Sequence, residues 1–225
     1  MIHRSGTLDG VGGYAAAGRY SGGGFSAGAS QWWVDRFSGS SAPYANVSYP
    51  ILPYLCRALQ WLFSPEGNAS SLGFKGFKDK VVADVGTNDG RYVPVFMNLG
   101  AADVWGIDPL HETLQGAVNK GLLKPERALA KTLESSVADL AGKIDVATVF
   151  NSQLDRDFDV VAKSLWDVVV PGGQLVFTFA ERIRRDRTLP ALASHFEGSS
   201  VSLSGNSIDR PHEFLYVGTR KANPS

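Results

Sequence analysis

Residues 81–90 read Val-Val-Ala-Asp-Val-Gly-Thr-Asn-Asp-Gly, and no other stretch limits the fold so tightly. Five mostly apolar, valine-rich residues make a strand buried on both faces, the habit of parallel sheets. Gly86 and Gly90 break that strand into a turn, and the spacing predicts a helix over residues 89–99, stopped by Gly100. A glycine-rich turn between strand and helix lets a ligand approach the backbone and aims helix N-terminal amides at it. A second strand, Asp103-Val104-Trp105-Gly106-Ile107, ends in Asp108, about 20 residues past the turn. An acid there is placed to accept hydrogen bonds from ribose hydroxyls.

Such a unit serves a dinucleotide or S-adenosylmethionine. A nicotinamide or flavin site calls for a third glycine shortly after Gly90, where this chain has Tyr92 and Val93. A carboxylate inside the strand, Asp84, opposes a pyrophosphate but suits a ligand with a cationic amino-acid tail. The pattern Asp-x-Gly-x-x-x-Gly, with an acid ending the next strand, resembles motif I and its successor in class I S-adenosylmethionine-dependent methyltransferases. Asn88 stands where that family usually has its middle glycine. Asparagine tolerates left-handed backbone better than most residues.

The resemblance implies roles, position by position. Gly86, Thr87, Asn88 and Gly90 would line the methionine moiety, with Asp84 near its amino group. Asp108 would hold the ribose hydroxyls, and Pro109 or Leu110 would flank the adenine. Glu134 falls where the family often has a group for the adenine edge, although a solvated glutamate explains it equally well. Asn151, ending a fourth strand, either faces the substrate or caps a turn.

The rest of the chain fits the same fold. Residues 114–120 read as a helix stopped by Gly121, and 128–133 as a weakly marked third strand with Glu134 just past it. Residues 144–150 make a clearer fourth strand. Residues 157–169 make a helix with Val160, Val161, Leu165, Val168 and Val169 on its apolar face. Pro171-Gly172-Gly173 turns into a fifth strand over 174–179. Residues 189–196 read as a helix, and 201–203 and 214–218 as a closing antiparallel pair. A helix, a Pro-Gly-Gly turn, an apolar strand and that pair are again similar to the methyltransferase family, over about residues 80–220. The expected fold is α/β and Rossmann-like: a seven-stranded, mostly parallel sheet with an antiparallel last strand. It forms one domain, residues 76–221.

Residues 1–75 are expected to form a glycine-rich segment and helical cap. Residues 1–42 hold ten glycines, yet also Tyr14, Tyr20, Phe25, Trp32, Trp33 and Phe37. So little to bury leaves the free segment mobile. It is either a tail or a lid whose aromatics close over the ligands, and the resemblance favours the lid. A helical stripe over 49–63 belongs to the cap or covers the sheet.

Lys plus Arg equals Asp plus Glu, 22 each, so no global field draws in nucleic acid or an anionic membrane. One cysteine, Cys56, permits no internal disulfide and no cysteine zinc site. With no apolar signal core in the first residues and no apolar stretch of about 18 residues, the expectation is a cytoplasmic protein off the membrane.

Methyl transfer from a sulfonium is an in-line displacement that needs alignment more than a nucleophile. A base matters only where the acceptor must lose a proton. His111, His195 and His212 each have a plainer reading, and the histidine pair the family often carries after the fourth strand is replaced by Gln153 and Leu154. The catalytic residue is therefore unassigned. Asp155, Asp157 and Asp159 alternate, but alternate residues at a helix start do not converge, and acids there suit the dipole; no metal is expected. Arg182, Arg184, Arg185 and Arg187 either greet an acidic substrate or form a solvated face. The reading is S-adenosylmethionine-dependent methyl transfer to a small-molecule acceptor, a metabolite. Two alternatives remain: an RNA or protein methyltransferase, and an S-adenosylmethionine-binding protein that does not methylate.

Overall fold

In the computed structural model, strand β1 (Val81–Val85) lies at the centre of a seven-stranded sheet. The structure describes residues 62, 69–150, 157–180, 182–203 and 213–224. The other strands are β2 (Asp103–Ile107), β3 (Ala128–Leu129), β4 (Ile144–Val149), β5 (Val169–Ala180), β6 (Phe196–Ser202) and β7 (Glu213–Arg220). Their order is β3-β2-β1-β4-β5-β7-β6. Strands β1 to β5 pair in parallel, while β7 runs antiparallel to both β5 and β6. The expected fold is the observed one. Because β1 continues to β2 on one side and β4 lies on its other side, the order reverses between β1 and β4. The carboxyl ends of those two strands flank the crevice where open α/β sheets bind ligands.

Helices cover both faces. On one face α1 (Val93–Asn98) and α2 (His111–Asn119) pack with Leu62, Phe74 and Phe77 over Val82, Val104, Val146 and Val176. On the other, α3 (Leu133–Leu140), α4 (Phe158–Val168) and α5 (Arg182–His195) cover Ala83, Val85, Ala147, Val149 and Leu175. Strands buried on both sides carry apolar residues without alternation, which is why β1 and β4 read so plainly. Before β1 the backbone is tied down by Gln174, whose Oε1 accepts from Lys75 N and whose Nε2 donates to Gly73 O, both at 2.8 Å.

Several boundaries differ from the sequence reading. The first helix begins at Val93, not at residue 89, because Asn88 (φ 51°) and Gly90 (φ 73°) are still in left-handed turn conformation. Pro94 then sits in the first turn, the one place a helix accepts it. The second helix starts at His111 and ends at Asn119. The third strand stops at Leu129, since Thr132 caps a further helix, α3, its Oγ1 accepting from Ser135 N. Glu134 therefore lies in the first turn of α3, half-buried, and not in a loop. Val160 is 46 % exposed, off the apolar face that Val161, Leu165 and Val168 make. Strand β5 absorbs Pro171-Gly172-Gly173 as a register shift against β4 instead of starting after it. A side chain at Gly173 would lie 2.8 Å from Asp145 O, so only glycine fits there. Helix α5 begins at Arg182, which makes the arginine run helical. The segment 1–61, the start of the 49–63 helix, Asn151, Asp155 and His212 lie outside the described residues.

Candidate functional site

The turn between β1 and α1 is held by an unusually complete set of internal bonds. Gly86 N and Thr87 N both donate to Ile107 O, at 2.8 and 3.2 Å. Asn88 N donates to Asp108 Oδ2 at 2.9 Å, and Gly90 N to Thr87 O at 3.0 Å. Of the amides from Gly86 to Gly90, only that of Asp89 has no bond among the described residues. The turn itself thus offers no cluster of free amides to an anion, contrary to the simplest expectation for a glycine turn. Gly86 needs its freedom for φ 75°. A side chain at Gly90 (φ 73°) would also meet Ala117 Cβ at 2.8 Å, so α2 can press against the turn only because this residue is glycine.

Asp108, 6 % exposed, accepts from Asn88 N through Oδ2 and from Leu110 N through Oδ1, both at 2.9 Å. It therefore joins the end of β2 to the glycine turn while keeping further lone pairs. Pro109 and Leu110 follow on the surface, Leu110 with 60 % of its area exposed. A large exposed apolar side chain beside a buried carboxylate at a strand end is a ready platform for a flat ring. Asn88 Oδ1 is buried without a hydrogen-bond partner. At the rim, Arg91 Nε and Nη2 hold Asp89 Oδ1 and Oδ2 at 2.8 and 3.0 Å.

Asp84 lies beneath this turn. Its exposure is 1 %, and both oxygens are engaged: Thr87 Oγ1 donates to Oδ2 at 2.8 Å and Thr148 Oγ1 to Oδ1 at 3.1 Å. Burial pushes its carboxyl from 3.8 up to about 7; the two hydroxyls oppose this, and the charges of Asp108 and Asp89 add to it. In this conformation the Asp84 carboxylate is enclosed beneath the turn and does not open onto its surface.

Thr148, beside Asp84 in the β1–β4 register, is a residue the sequence reading passed over. So is Gly106, beside Asp84 on β2. A side chain at Gly106 would lie 2.9 Å from Thr87 Cγ2 and 2.6 Å from Leu123 Cδ2, so this glycine makes room for Thr87 to fold down onto Asp84. An apolar strand that contains a threonine or a glycine gives no sequence signal until the neighbouring strand is known.

Glu134, in the first turn of α3, makes no hydrogen bond or ion pair with these groups among the described residues. His111 is exposed at the start of α2. His195 ends α5 and is bonded locally, Nδ1 lying 2.7 Å from Ser194 Oγ. It precedes Phe196, which pairs with Arg220, and β7 is antiparallel; His195 therefore sits at the amino edge of the parallel strands, away from the crevice. Asp157 is the N-cap of α4, accepting from Asp159 N at 3.0 Å. Among the described residues no three His, Cys, Asp or Glu side chains converge as a metal site, and no helix is long and apolar enough to cross a membrane.

No protein-family model matches the sequence, and no curated protein does. Solved structures share its fold. A predicted O-methyltransferase from Agrobacterium tumefaciens superposes with TM-score 0.54 at 15 % identity, covering 68 % of this chain and 79 % of its own. An S-adenosylmethionine dependent methyltransferase from Mesorhizobium loti gives 0.50 at 16 %, covering 64 % and 92 %. A Lactococcus lactis protein bearing the name of a hemolysin gives 0.52 at 13 %, covering 65 % and 81 %. At such identities the likeness establishes the architecture, and the differing names show that architecture alone does not fix an activity. The described part of this chain has the Rossmann-like sheet found in S-adenosylmethionine-dependent methyltransferases.

Proposed function

We propose that the chain transfers a methyl group from S-adenosylmethionine to a small-molecule acceptor, without a metal. One observation carries this reading. The glycine turn at the switch point has spent nearly all its amides internally and lies between two buried carboxylates, Asp84 and Asp108. A pyrophosphate bound there would meet negative charge and few donors. A ligand with ribose hydroxyls and a cationic tail, by contrast, brings the donors and the positive charge that these carboxylates lack.

When bound, S-adenosylmethionine would supply a methyl group on a positively charged sulfur, open to direct displacement by the acceptor. Asp108 would receive the ribose hydroxyls, and Pro109 and Leu110 would support the adenine, with Glu134 towards its edge. Gly86, Thr87, Asn88 and Gly90 would shape the methionine end, and Asp84 would favour its ammonium electrostatically. Asn151, just past β4, would face the acceptor side. Binding of this kind aligns reactants, which accounts for much of the rate in such displacements. A chain with no net charge, 22 basic against 22 acidic residues, favours a small acceptor over a polyanion.

Calorimetry with S-adenosylhomocysteine and with NAD tests the ligand class. The expected result is saturable binding of the first and none of the second. Binding of NAD instead would overturn the reading. Release of S-adenosylhomocysteine from S-adenosylmethionine only when an acceptor from a metabolite collection is present would establish transfer.

A further inference from the structure

Asp84 is fully enclosed, yet a strand interior gains nothing in stability from a carboxylate. Its neighbours explain what it holds. Along one row of the sheet, Gly106 of β2, Asp84 of β1 and Thr148 of β4 stand side by side. Gly106 leaves the space into which the Thr87 side chain folds, and Thr87 is the second residue of the ligand turn. Thr148 Oγ1 also lies 3.3 Å from Ala83 O, so its one proton is shared between the Asp84 carboxylate and the β1 backbone. The turn is thereby fastened from below by Thr87 to Asp84, as it is fastened from the side by Asn88 N to Asp108.

We infer that Thr148 is a positioning residue of the cofactor site: with Asp84 and Thr87 it forms a buried latch that sets the shape of the glycine turn. For its effect on ligand affinity this inference rests on the methyltransferase reading above. The latch is electrostatic as well as steric. The charged groups around Asp84 are Asp108 from the end of β2 and Asp89 from the turn, the latter paired with Arg91. Burial above all disfavours its ionised form, the two hydroxyls favour it and the two acids add a smaller opposing effect, so that Asp84 titrates in the neutral range, at about 7. A cationic ligand tail above the turn draws it to the ionised form. Affinity therefore rises with pH through that range, and removing a hydroxyl shifts the rise to higher pH.

The test compares wild type, Thr148→Val, Thr148→Ser and Asp84→Asn. S-adenosylhomocysteine affinity is measured by calorimetry from pH 5.5 to 8, and exchange of the turn amides by mass spectrometry without ligand. Thr148→Val keeps the shape and loses the hydroxyl. It is expected to bind about fivefold more weakly at neutral pH, the worth of one net hydrogen bond, with its pH profile displaced upward. Its turn amides should exchange faster. Thr148→Ser should restore both, and Asp84→Asn should bind with little pH dependence. Wild-type affinity, profile and exchange in folded Thr148→Val would overturn the latch, as would an unchanged profile in Asp84→Asn. If wild type binds no S-adenosylhomocysteine at any pH, the methyltransferase reading fails, while the latch is still decided by amide exchange.

Discussion

The two edges of the sheet bury polar groups in opposite ways. At the amino edge the polar groups lean on backbone or aromatic partners, and the one atom unmatched there among the described residues, Arg220 Nε, belongs to a guanidinium that lies over an indole ring. Trp166 Nε1 donates to Lys221 O at 2.9 Å while the Arg220 guanidinium covers its ring at 4.0 Å. Tyr216 Oη donates to Phe196 O at 3.1 Å, and burial raises that phenol to about 12, so it stays neutral at every ordinary pH. At the carboxyl edge the buried groups are carboxylates, one left-handed asparagine has an unmatched oxygen, and the turn holds φ values only glycine and asparagine accept easily. The first arrangement stabilises; the second costs stability and is of the kind that clusters at functional sites.

The largest expected effect would come from the backbone of the turn. Gly86→Val puts a β-branched residue at φ 75°, and S-adenosylhomocysteine binding should fall below detection while circular dichroism still reports a folded sheet. Retained binding would mean that the turn is not the ligand cradle.

Next in size is the cost of Asp84. Its folded carboxyl holds a proton more tightly than the unfolded one, about 7 against 3.8. Its contribution is therefore fully favourable below pH 4 and is lost as pH rises to about 7. That is the reverse of a salt-bridged acid. The loss approaches about 4 kcal/mol as an upper bound. Thermal unfolding of Asp84→Asn should show a gain over wild type that grows between pH 4 and 7 and then levels off. A gain independent of pH would contradict it.

Asp108→Ala should weaken S-adenosylhomocysteine by about 1.5–3 kcal/mol, roughly 10- to 100-fold, because ribose hydroxyls lose a charged acceptor and Asn88 N loses its partner. Calorimetry on the folded variant decides this. The smallest effect belongs to the other edge. Tyr216→Phe should cost about 1 kcal/mol of stability in denaturant unfolding and leave ligand affinity unchanged. A loss of binding there would erase the distinction between the edges.

The same contrast explains what could be read from the sequence. The sheet was legible because Val81–Val85 and Ile144–Val149 are buried on both faces and carry the apolar runs that such strands require. Asp84, Gly86, Gly90 and Asp108 were legible because a turn and a strand end leave marks at fixed spacing. Boundaries slipped where capping ruled: Thr132 started a helix that weak apolar periodicity did not announce. Thr148 and Gly106 were not legible, since their roles arise only when strands far apart in sequence become neighbours. The spent amides were hidden for the same reason, because Ile107 O and Asp108 take them from across the sheet.

The most direct test of the whole account is amide exchange of the intact protein with and without S-adenosylhomocysteine. The account predicts slower exchange in peptides spanning residues 84–92 and 106–112, with none in 213–221. No protection anywhere, or protection confined to 213–221, would contradict it.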